Sequence, residues 1–329
     1  MSGLVSVGEF MTRKIVYPDA DAESLELLSG ERLARLESLG EVIIYADGPV
    51  DDDGFIERLA GANAAISGWG LSNAVLAALP DLEVVSFTGL GASTFIDIAE
   101  ARRRNITVTH TLSAASTIAE HCLGLMLDAA RNISQLDREI RKGVWNTSAL
   151  GMDLRNTTLG LVGFGRIAQA LVPMAQALGM KVIAWTRNPD PQRAREHGIE
   201  FTELDHLLAI SDVVSLHLSS TPQTHGLLNA ERLQTIKPGA LLINTARSQL
   251  LDEVALAGLL QSGHIRAAGI DVFDNEPIAP DHPFIGMDNV IMTPHVAYNT
   301  PGALIDMYDT AVDNLVAFYN GNPQNVATA

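Results

Sequence analysis

Three side chains with complementary chemistry stand far apart in the sequence: Arg247, Glu276 and His295. An arginine can bind a carboxylate through two parallel hydrogen bonds, and a histidine, which titrates near neutral pH, can donate a proton to a carbonyl oxygen. A glutamate beside that histidine would stabilise the imidazolium and fix the orientation of the ring. Together the three match what the reduction of a 2-oxo acid requires. Taken singly, each is better explained as an arginine at a helix entry, a glutamate in a solvated turn or a histidine held in a turn.

A glycine-rich turn predicts a binding place for a dinucleotide. A buried-strand pattern at 158–162 leads into Gly163, Gly165 and Ala168, after which apolar residues recur at helical spacing. In this frame the first glycine permits a tight turn, the second leaves room for a pyrophosphate, and the alanine lets the helix lie close to the strand. Backbone N–H groups at the start of the helix would face the anion. The frame favours dinucleotide binding over the alternative, a tight βα turn that binds nothing.

The end of the following strand bears on which dinucleotide is bound. NAD-selective sites place a carboxylate there for the ribose hydroxyls of the adenosine, whereas this sequence has Thr186 and Arg187. A guanidinium can pair with the 2′-phosphate of NADP(H) through charge-assisted hydrogen bonds. We therefore expect NAD(P)(H) as the cofactor and favour NADP(H). An arginine that simply faces solvent explains the same residues equally well.

Two series of strand and helix patterns must position these side chains. In each series, short β-branched runs alternate with helical stretches, which predicts βαβ units and a parallel sheet. Asp51–Asp53 and Ser72 are acceptors suited to open two helices of the first series. The predicted strands are 15–17, 42–45, 64–67 and 84–87 in the first series, and 159–162, 182–185, 213–216, 241–244, 267–270 and 290–292 in the second.

Two further helices define the domain organisation. One long helix is predicted at 113–143, with a capping box formed by Thr117 and Glu120. A last helix at 303–319 follows the second sheet and is expected to pack back onto the first. We therefore predict an α/β protein of two doubly wound parallel-sheet domains with a cleft between them. The substrate domain is expected to be discontinuous, at 11–112 and 299–329, the dinucleotide-binding domain to occupy 113–298, and residues 1–10 to be a leader or disordered tail.

Composition excludes several classes of partner. The 22 lysines and arginines against 39 aspartates and glutamates give a formal net charge of -17, which repels nucleic acid and anionic lipid. The single cysteine, Cys122, cannot form an internal disulfide, and the sequence shows neither a secretory leader nor an apolar run of membrane-spanning length. These features indicate a cytoplasmic protein. No histidine or cysteine pattern has metal-ligand spacing, so no metal site is expected.

The chain after Met11 resembles the D-isomer-specific 2-hydroxyacid dehydrogenase family over nearly its whole length. The resemblance rests on a succession of motifs rather than on any one of them. They are LGLVGFGRIA at 159–168, SLHL at 215–218 with TPQT at 221–224, KPGA at 237–240 through to Arg247, AGIDVF at 268–273 with Glu276–Pro277, and TPH at 293–295.

The resemblance implies a Rossmann-type cofactor domain, a flavodoxin-like substrate domain, and the interconversion of a small 2-oxo acid and its D-2-hydroxy acid. It assigns catalysis to Arg247, Glu276 and His295, and contact with the nicotinamide amide to Asp271. It also implies a homodimer formed through the helix from Ser113 and the stretch after it, although packing of this region within one chain is an open alternative. Other cofactor contacts are implied at Arg166, Ile167, His217, Thr224, Thr245 and Ala246. Substrate contacts are implied at Gly68, Trp69, Gly89 and Leu90, beside Arg247 and His295.

Two departures from the family pattern bear on specificity. The segment 91–97 is one residue longer than the common pattern, which affects the substrate, and the ribose carboxylate is missing, which affects the cofactor. The stretch WTRN at 185–188 resembles the NADPH-preferring glyoxylate and hydroxypyruvate reductase branch. An alternative from another class stays open, namely a dinucleotide-sensing binding protein on the same scaffold that turns over no substrate.

Overall fold

The computed structural model describes residues 13–327, so the leader or tail expected at 1–10 lies outside the described residues. The described chain divides into two compact units. The first unit contains residues 13–114 and 301–327, and the second contains Ala115–Thr300. No helix among the described residues is long and apolar enough to cross a membrane.

The strands of the first unit are β1 (Lys14–Tyr17), β2 (Glu41–Ile44), β3 (Ala64–Ser67), β4 (Val84–Phe87) and β5 (Thr107–His110). Its helices are α1 (Ala22–Leu27), α2 (Glu31–Glu37), α3 (Asp52–Leu59), α4 (Asn73–Ala78), α5 (Ile98–Arg103) and the last helix of the chain, α13 (Pro301–Tyr319).

The strands of the second unit are β6 (Thr158–Val162), β7 (Lys181–Trp185), β8 (Glu200–Phe201), β9 (Val213–Leu216), β10 (Ala240–Asn244), β11 (Ile265–Ile270) and β12 (Val290–Met292). Its helices are α6 (Ala115–Arg131), α7 (Ile133–Arg141), α8 (Arg166–Ala177), α9 (Pro191–His197), α10 (Leu204–Ile210), α11 (Ala230–Gln234) and α12 (Glu253–Gln261).

The first sheet has the strand order β2-β1-β3-β4-β5, with parallel pairing throughout. This is the flavodoxin-like order, and its direction reverses between β1 and β3. Apolar residues of α13, including Leu304, Val312 and Leu315, pack in one core with Ile15 and Ile66 of the sheet. The predicted return of the last helix to the first sheet is confirmed.

The second sheet has the order β12-β11-β10-β9-β6-β7-β8 and is also parallel. Numbered within the unit, this is the Rossmann order with one extra strand at the β12 edge, and the order reverses between β6 and β9. Both faces of the sheet are covered by apolar cores. The predicted fold class is confirmed, because both units contain a doubly wound parallel sheet.

The predicted helix at 113–143 is wrong in two respects. The structure has two helices, α6 and α7, separated by Asn132, whose φ of 55° is left-handed. The last buried residue of α6 is Ala130, and α7 has no buried residue. Core packing therefore does not require the helix to continue beyond α6. The capping box is also wrong, because α6 begins at Ala115 and Thr117 lies inside its first turn. In contrast, Asp51 and Ser72 do cap α3 and α4.

Candidate active site

His295 and Glu276 form a hydrogen-bonded pair in the second unit. The distance between His295 Nδ1 and Glu276 Oε2 is 2.8 Å, and the two side chains are 32 % and 38 % exposed. The other carboxylate oxygen, Oε1, accepts the backbone N–H of Phe273 at 2.9 Å. An ionised carboxylate only accepts, so Nδ1 is the donor and Nε2 is the nitrogen left to act on a substrate. The glutamate both orients the ring and is placed to stabilise its protonated form.

His295 is held in a left-handed conformation. Its φ is 53°, which costs a residue other than glycine about 1 to 2 kcal/mol. Its backbone N–H donates to the carbonyl of Thr293 at 3.0 Å. The ring of Tyr298 packs against the imidazole in an edge-on arrangement, with a centroid distance of 6.4 Å. The turn therefore has a fixed shape that aims the imidazole at Glu276.

Asp271 lies under this turn, at the end of β11, and its side chain has no exposed surface. The carboxylate accepts the Thr293 hydroxyl at 2.5 Å and the N–H groups of Val296 and Ala297 at 3.0 Å each. These three donors come from the turn around His295. A carboxylate can accept about four hydrogen bonds, so the contact with a nicotinamide amide that the resemblance implies stays a prediction.

Arg247 follows β10 and is partly buried. Its Nη1 donates to the carbonyl of Ala246 at 2.6 Å, and Asn244 Nδ2 donates to the carbonyl of Arg247 at 2.9 Å. Burial lowers the pKa of Arg247, and the negative charge of Glu276 opposes that shift. The arginine is therefore close enough to Glu276 to sense its charge. Glu276 thus contacts His295 directly and acts on Arg247 through its charge, and a joint catalytic role of the three stays a prediction.

The glycine turn fits a dinucleotide pyrophosphate. Gly163 has a φ of 100°, and a Cβ there would overlap the backbone of His217, with its carbonyl carbon at 2.8 Å. A Cβ on Gly165 would meet no atom within 4 Å, so the space above this residue is open. The helix α8 begins directly after Gly165 with no side-chain cap. Its first N–H groups, at Arg166 and Ile167, can therefore bind an anion.

The other residues implied in cofactor binding divide into two groups. Arg187 is exposed beyond the end of β7, and Thr186 precedes it at partial burial. In contrast, the Thr224 hydroxyl donates within its own turn, to the carbonyl of Ser219 at 2.7 Å, and the N–H of Ala246 donates to Asn244 Oδ1 at 3.0 Å. These two groups already have partners, and Thr245 is buried.

His217 follows the central strand β9 and lies next to the glycine turn. Its Nε2 lies 2.9 Å from Ser215 Oγ, and burial lowers the pKa of the imidazole to about 4. Ser215 Oγ in turn lies 3.3 Å from Cys122 Sγ, and burial raises the pKa of that thiol to about 11. Neither group is charged at neutral pH. Among the described residues, no cluster of three or more His, Cys, Asp or Glu side chains is placed to hold a metal ion.

The substrate loop predicted around Gly68 and Trp69 lies in the first unit and is bound to an internal carboxylate. Asp19 Oδ2 accepts the N–H groups of Gly68 at 3.2 Å and Trp69 at 2.9 Å, and the Ser67 hydroxyl at 3.0 Å. Burial raises the pKa of Asp19, and the hydrogen bonds that it accepts oppose the shift. In this structure the N–H groups of Gly68 and Trp69 thus donate to Asp19, and the substrate role of the two residues stays a prediction. The side chain of Trp69 is 65 % exposed.

Sequence reasoning missed Asp19. The available signal was its position two residues after β1, since β1 and β3 are neighbours and their carboxyl ends meet at one edge of the sheet. The second predicted substrate loop, at Gly89 and Leu90, follows β4 at the same edge. A Cβ on Gly89 would lie 2.9 Å from the ring of Phe87, so this position is closely packed.

Comparison with known proteins gave consistent matches. Residues 123–297 match the family described as D-isomer specific 2-hydroxyacid dehydrogenase, NAD binding domain. The D-3-phosphoglycerate dehydrogenase of Mycobacterium leprae is 38 % identical over 285 residues, which are 84 % of this chain and 53 % of that protein. The chain thus spans about half the length of that relative.

Two further similarities cover nearly whole chains. The glyoxylate reductase of Korarchaeum cryptofilum is 34 % identical over 304 residues, 89 % of this chain and 91 % of that protein. The solved structure of an acyclic imino acid reductase in complex with NADPH and D-Arg has a TM-score of 0.86 and 28 % identity, covering 96 % of this chain and all of the other.

Proposed function

This chain belongs to the D-isomer-specific 2-hydroxyacid dehydrogenase family, and from that premise we propose that it interconverts a small 2-oxo acid and its D-2-hydroxy acid with a nicotinamide cofactor. The observation that carries the proposal is the 2.8 Å hydrogen bond between His295 Nδ1 and Glu276 Oε2, with Arg247 close enough to sense the glutamate charge. A proton donor, its carboxylate partner and a carboxylate-binding cation thus share one site. The names of relatives, including glyoxylate reductase and glycerate dehydrogenase, support a short acid as substrate.

In the direction of reduction, a bound nicotinamide would supply the hydride, and residues of this chain would bind the substrate and donate the proton. Arg247 binds the substrate carboxylate and draws negative charge toward the carbonyl oxygen. His295 donates the proton from Nε2 to that oxygen. Glu276 stabilises the imidazolium until the proton leaves and keeps the ring from rotating. In the reverse direction, neutral His295 accepts the hydroxyl proton.

The two units divide this work. We assign dinucleotide binding to 113–298, through Gly163, Gly165 and the first N–H groups of α8, and a substrate role to 11–112 and 299–329. In the first unit, Trp69 and the backbone at Gly89 and Leu90 are assigned to the substrate. Gly68 is assigned to the substrate as well, and in this structure its N–H and that of Trp69 donate to Asp19.

We favour NADP(H) over NAD(H) as the cofactor. No carboxylate stands at the end of β7, where the ribose hydroxyls of NAD would be bound, and the exposed Arg187 can pair with a 2′-phosphate. The structurally similar acyclic imino acid reductase was solved with NADPH. Separate dissociation constants for NADPH and NADH, measured by nicotinamide fluorescence, decide this point, and tighter binding of NADH would overturn the preference.

We also propose that the protein is a cytoplasmic homodimer. The helix α7 has no buried residue. Together with the stretch after it, this helix exposes several large apolar side chains. Surface of this kind marks an interaction site when it is contiguous. These side chains belong to Ile133, Ile140, Val144, Trp145 and Leu150. The single buried cysteine and the acidic composition fit the reducing cytoplasm.

The decisive experiment replaces His295 with alanine. His295→Ala should lower kcat/KM for 2-oxo acid reduction by about 10² to 10⁴, because the proton donor is lost, while the dissociation constant of the cofactor stays nearly unchanged. The matched control is His206→Ala, which removes an exposed imidazole from α10 and should leave both quantities unaltered. Turnover is followed by absorbance of the reduced nicotinamide across a panel of 2-oxo acids.

Two results would count against the proposal. Full activity in His295→Ala would remove the histidine from the mechanism. Tight cofactor binding by the parent protein, with no oxidation of the reduced cofactor by any acid of the panel, would favour a dinucleotide-sensing protein instead.

A further inference from the structure

The turn that carries His295 is bound on both sides by one buried carboxylate. Before the histidine, the Thr293 hydroxyl donates to Asp271 Oδ1 at 2.5 Å. After it, Val296 donates its N–H to Oδ1 and Ala297 donates its N–H to Oδ2, both at 3.0 Å. The histidine between them has a left-handed backbone, which needs such support to persist. The geometry of His295 therefore depends on donors that are not themselves part of the reaction.

A second histidine continues this network from α6. His121 Nε2 lies 3.0 Å from Thr293 Oγ1 and 3.7 Å from Asp271 Oδ1. A hydroxyl has a single proton, and the carboxylate of Asp271 can only accept, so the Thr293 proton goes to Asp271. The Thr293 oxygen must then accept the Nε2–H of His121. The order of donation is thus His121 to Thr293 to Asp271.

We propose that Thr293 and His121 are positioning residues for His295, acting through Asp271. His121 fixes the rotamer of the Thr293 hydroxyl, and that hydroxyl fixes one oxygen of Asp271. The same carboxylate then holds the two N–H groups that follow His295. The result is that His295 Nδ1 stays within 2.8 Å of Glu276 Oε2. The catalytic consequence rests on the proposed function, whereas the effect on the orientation of the His295 ring does not.

A purely structural role would give a different result. A buried carboxylate needs donors wherever it lies, so the network could simply stabilise the second unit. In that case, loss of the Thr293 hydroxyl would lower stability and leave the chemical step alone. The positioning role instead requires that the turnover number falls while cofactor affinity stays the same, and that a conservative replacement restores it.

The test compares two replacements of Thr293. Thr293→Val keeps the shape of the side chain and removes the hydroxyl, and Thr293→Ser keeps the hydroxyl. We expect kcat to fall at least tenfold in Thr293→Val with an unchanged dissociation constant for NADPH, and most of kcat to return in Thr293→Ser. Thr235→Val, which removes an exposed threonine hydroxyl at the end of α11, is the control and should match the parent.

A parallel pair tests His121. Glutamine places an amide N–H at about the position of the imidazole Nε2–H, and leucine provides no donor. His121→Gln should therefore keep more of kcat than His121→Leu. Equal kcat in Thr293→Val and the parent, or an equal loss in the valine and serine variants, would overturn the proposal. An equal loss in His121→Gln and His121→Leu would remove His121 from it.

A spectroscopic measurement separates this inference from the proposed function. The ¹⁵N resonances of the His295 ring, assigned by their absence from His295→Ala, report whether Nδ1 carries the proton shared with Glu276. They should change in Thr293→Val and return in Thr293→Ser. If the parent protein turns over no acid, the proposed function fails, and these resonances still decide the positioning role. Identical spectra for the parent and Thr293→Val would refute it.

Discussion

His217 shows what burial alone does to an ionisable side chain. Its Nδ1 is buried with no hydrogen-bond partner among the described residues, and Nε2 meets the neutral hydroxyl of Ser215. No charged group compensates for the loss of water, so burial lowers the pKa of His217 from 6.5 to about 4. The imidazole is therefore neutral in the folded protein at all pH values near neutrality.

This shift predicts a pH dependence of stability. The folded pKa lies below the unfolded one, so the unfolded chain binds the extra proton between pH 6.5 and about 4, and stability falls as the pH drops through that window. At pH 5 the loss from His217 is about 2 kcal/mol, at roughly 1.4 kcal/mol per pKa unit. We expect urea unfolding without cofactor to show a smaller difference between pH 7.5 and pH 5 in His217→Gln than in the parent protein. Equal differences would show that His217 is not the source.

The role of a single residue could be predicted where the neighbouring sequence marks its position in the fold. Arg247, Glu276 and His295 each follow a strand, and strand ends are visible in the sequence as the end of an apolar run. The partners that hold these residues could not be predicted in the same way. Asp19 meets Gly68 and Trp69 from 49 and 50 residues away, and Asp271 meets the His295 turn from over 20 residues away. Such contacts depend on strand order and register, which local patterns do not specify.

At the scale of elements, the close packing of α10 against β6 depends on a glycine in the central strand. A Cβ on Gly160 would overlap Ser211 Oγ and would lie 2.6 Å from Leu207 Cδ2. Both neighbours are buried and belong to α10 or its end, so neither can move away freely. The same strand leads directly into the glycine turn. The position of that turn therefore depends on how closely the helix and the strand approach.

Gly160→Ala should destabilise the second unit by about 1 to 3 kcal/mol, the usual cost of overpacking a tight interior. The matched control is Gly258→Ala on the exposed side of α12, where a Cβ would meet no atom within 4 Å. That change should be neutral or stabilise by about 0.5 to 1 kcal/mol, because alanine favours the helix. Urea midpoints measure both variants. A Gly160→Ala midpoint at or above that of the parent would contradict the packing argument.

Elements with a strong local pattern could be predicted, and those defined by their neighbours could not. Most strands of both sheets were visible because parallel strands are buried on both faces, but β5 was missed, since polar residues alternate with its one apolar residue, Val108. β8 has only two residues and exists through its pairing with β7, so no run of apolar residues marks it. The break between α6 and α7 was also hidden, since both segments have helical composition. It lies just after Ala130, the last buried residue of α6.

For the whole molecule, the formal net charge of -17 and the apolar side chains around α7 act in opposite directions. Two acidic copies repel each other over distances that salt shortens to about 10 Å at 0.1 M. Burial of the exposed apolar side chains would favour association. If the homodimer proposed above forms through α7 and the stretch after it, added salt should strengthen it. A contact held mainly by ion pairs would weaken instead.

Trp145 is the side chain that tests this interface most directly, since it is 80 % exposed and large apolar side chains dominate the energy of most interfaces. Trp145→Ser should raise the dissociation constant of the dimer by roughly 30-fold or more, corresponding to a loss of at least 2 kcal/mol at a central aromatic. Light scattering with size-exclusion chromatography at low micromolar concentration then gives the mass of one chain for the variant and of two chains for the parent. The control is Trp69→Ser, which removes an exposed tryptophan from the first unit and should keep the parent mass. A parent that already has the mass of one chain, or a Trp145→Ser variant that keeps the mass of two, would show that this surface does not join two copies.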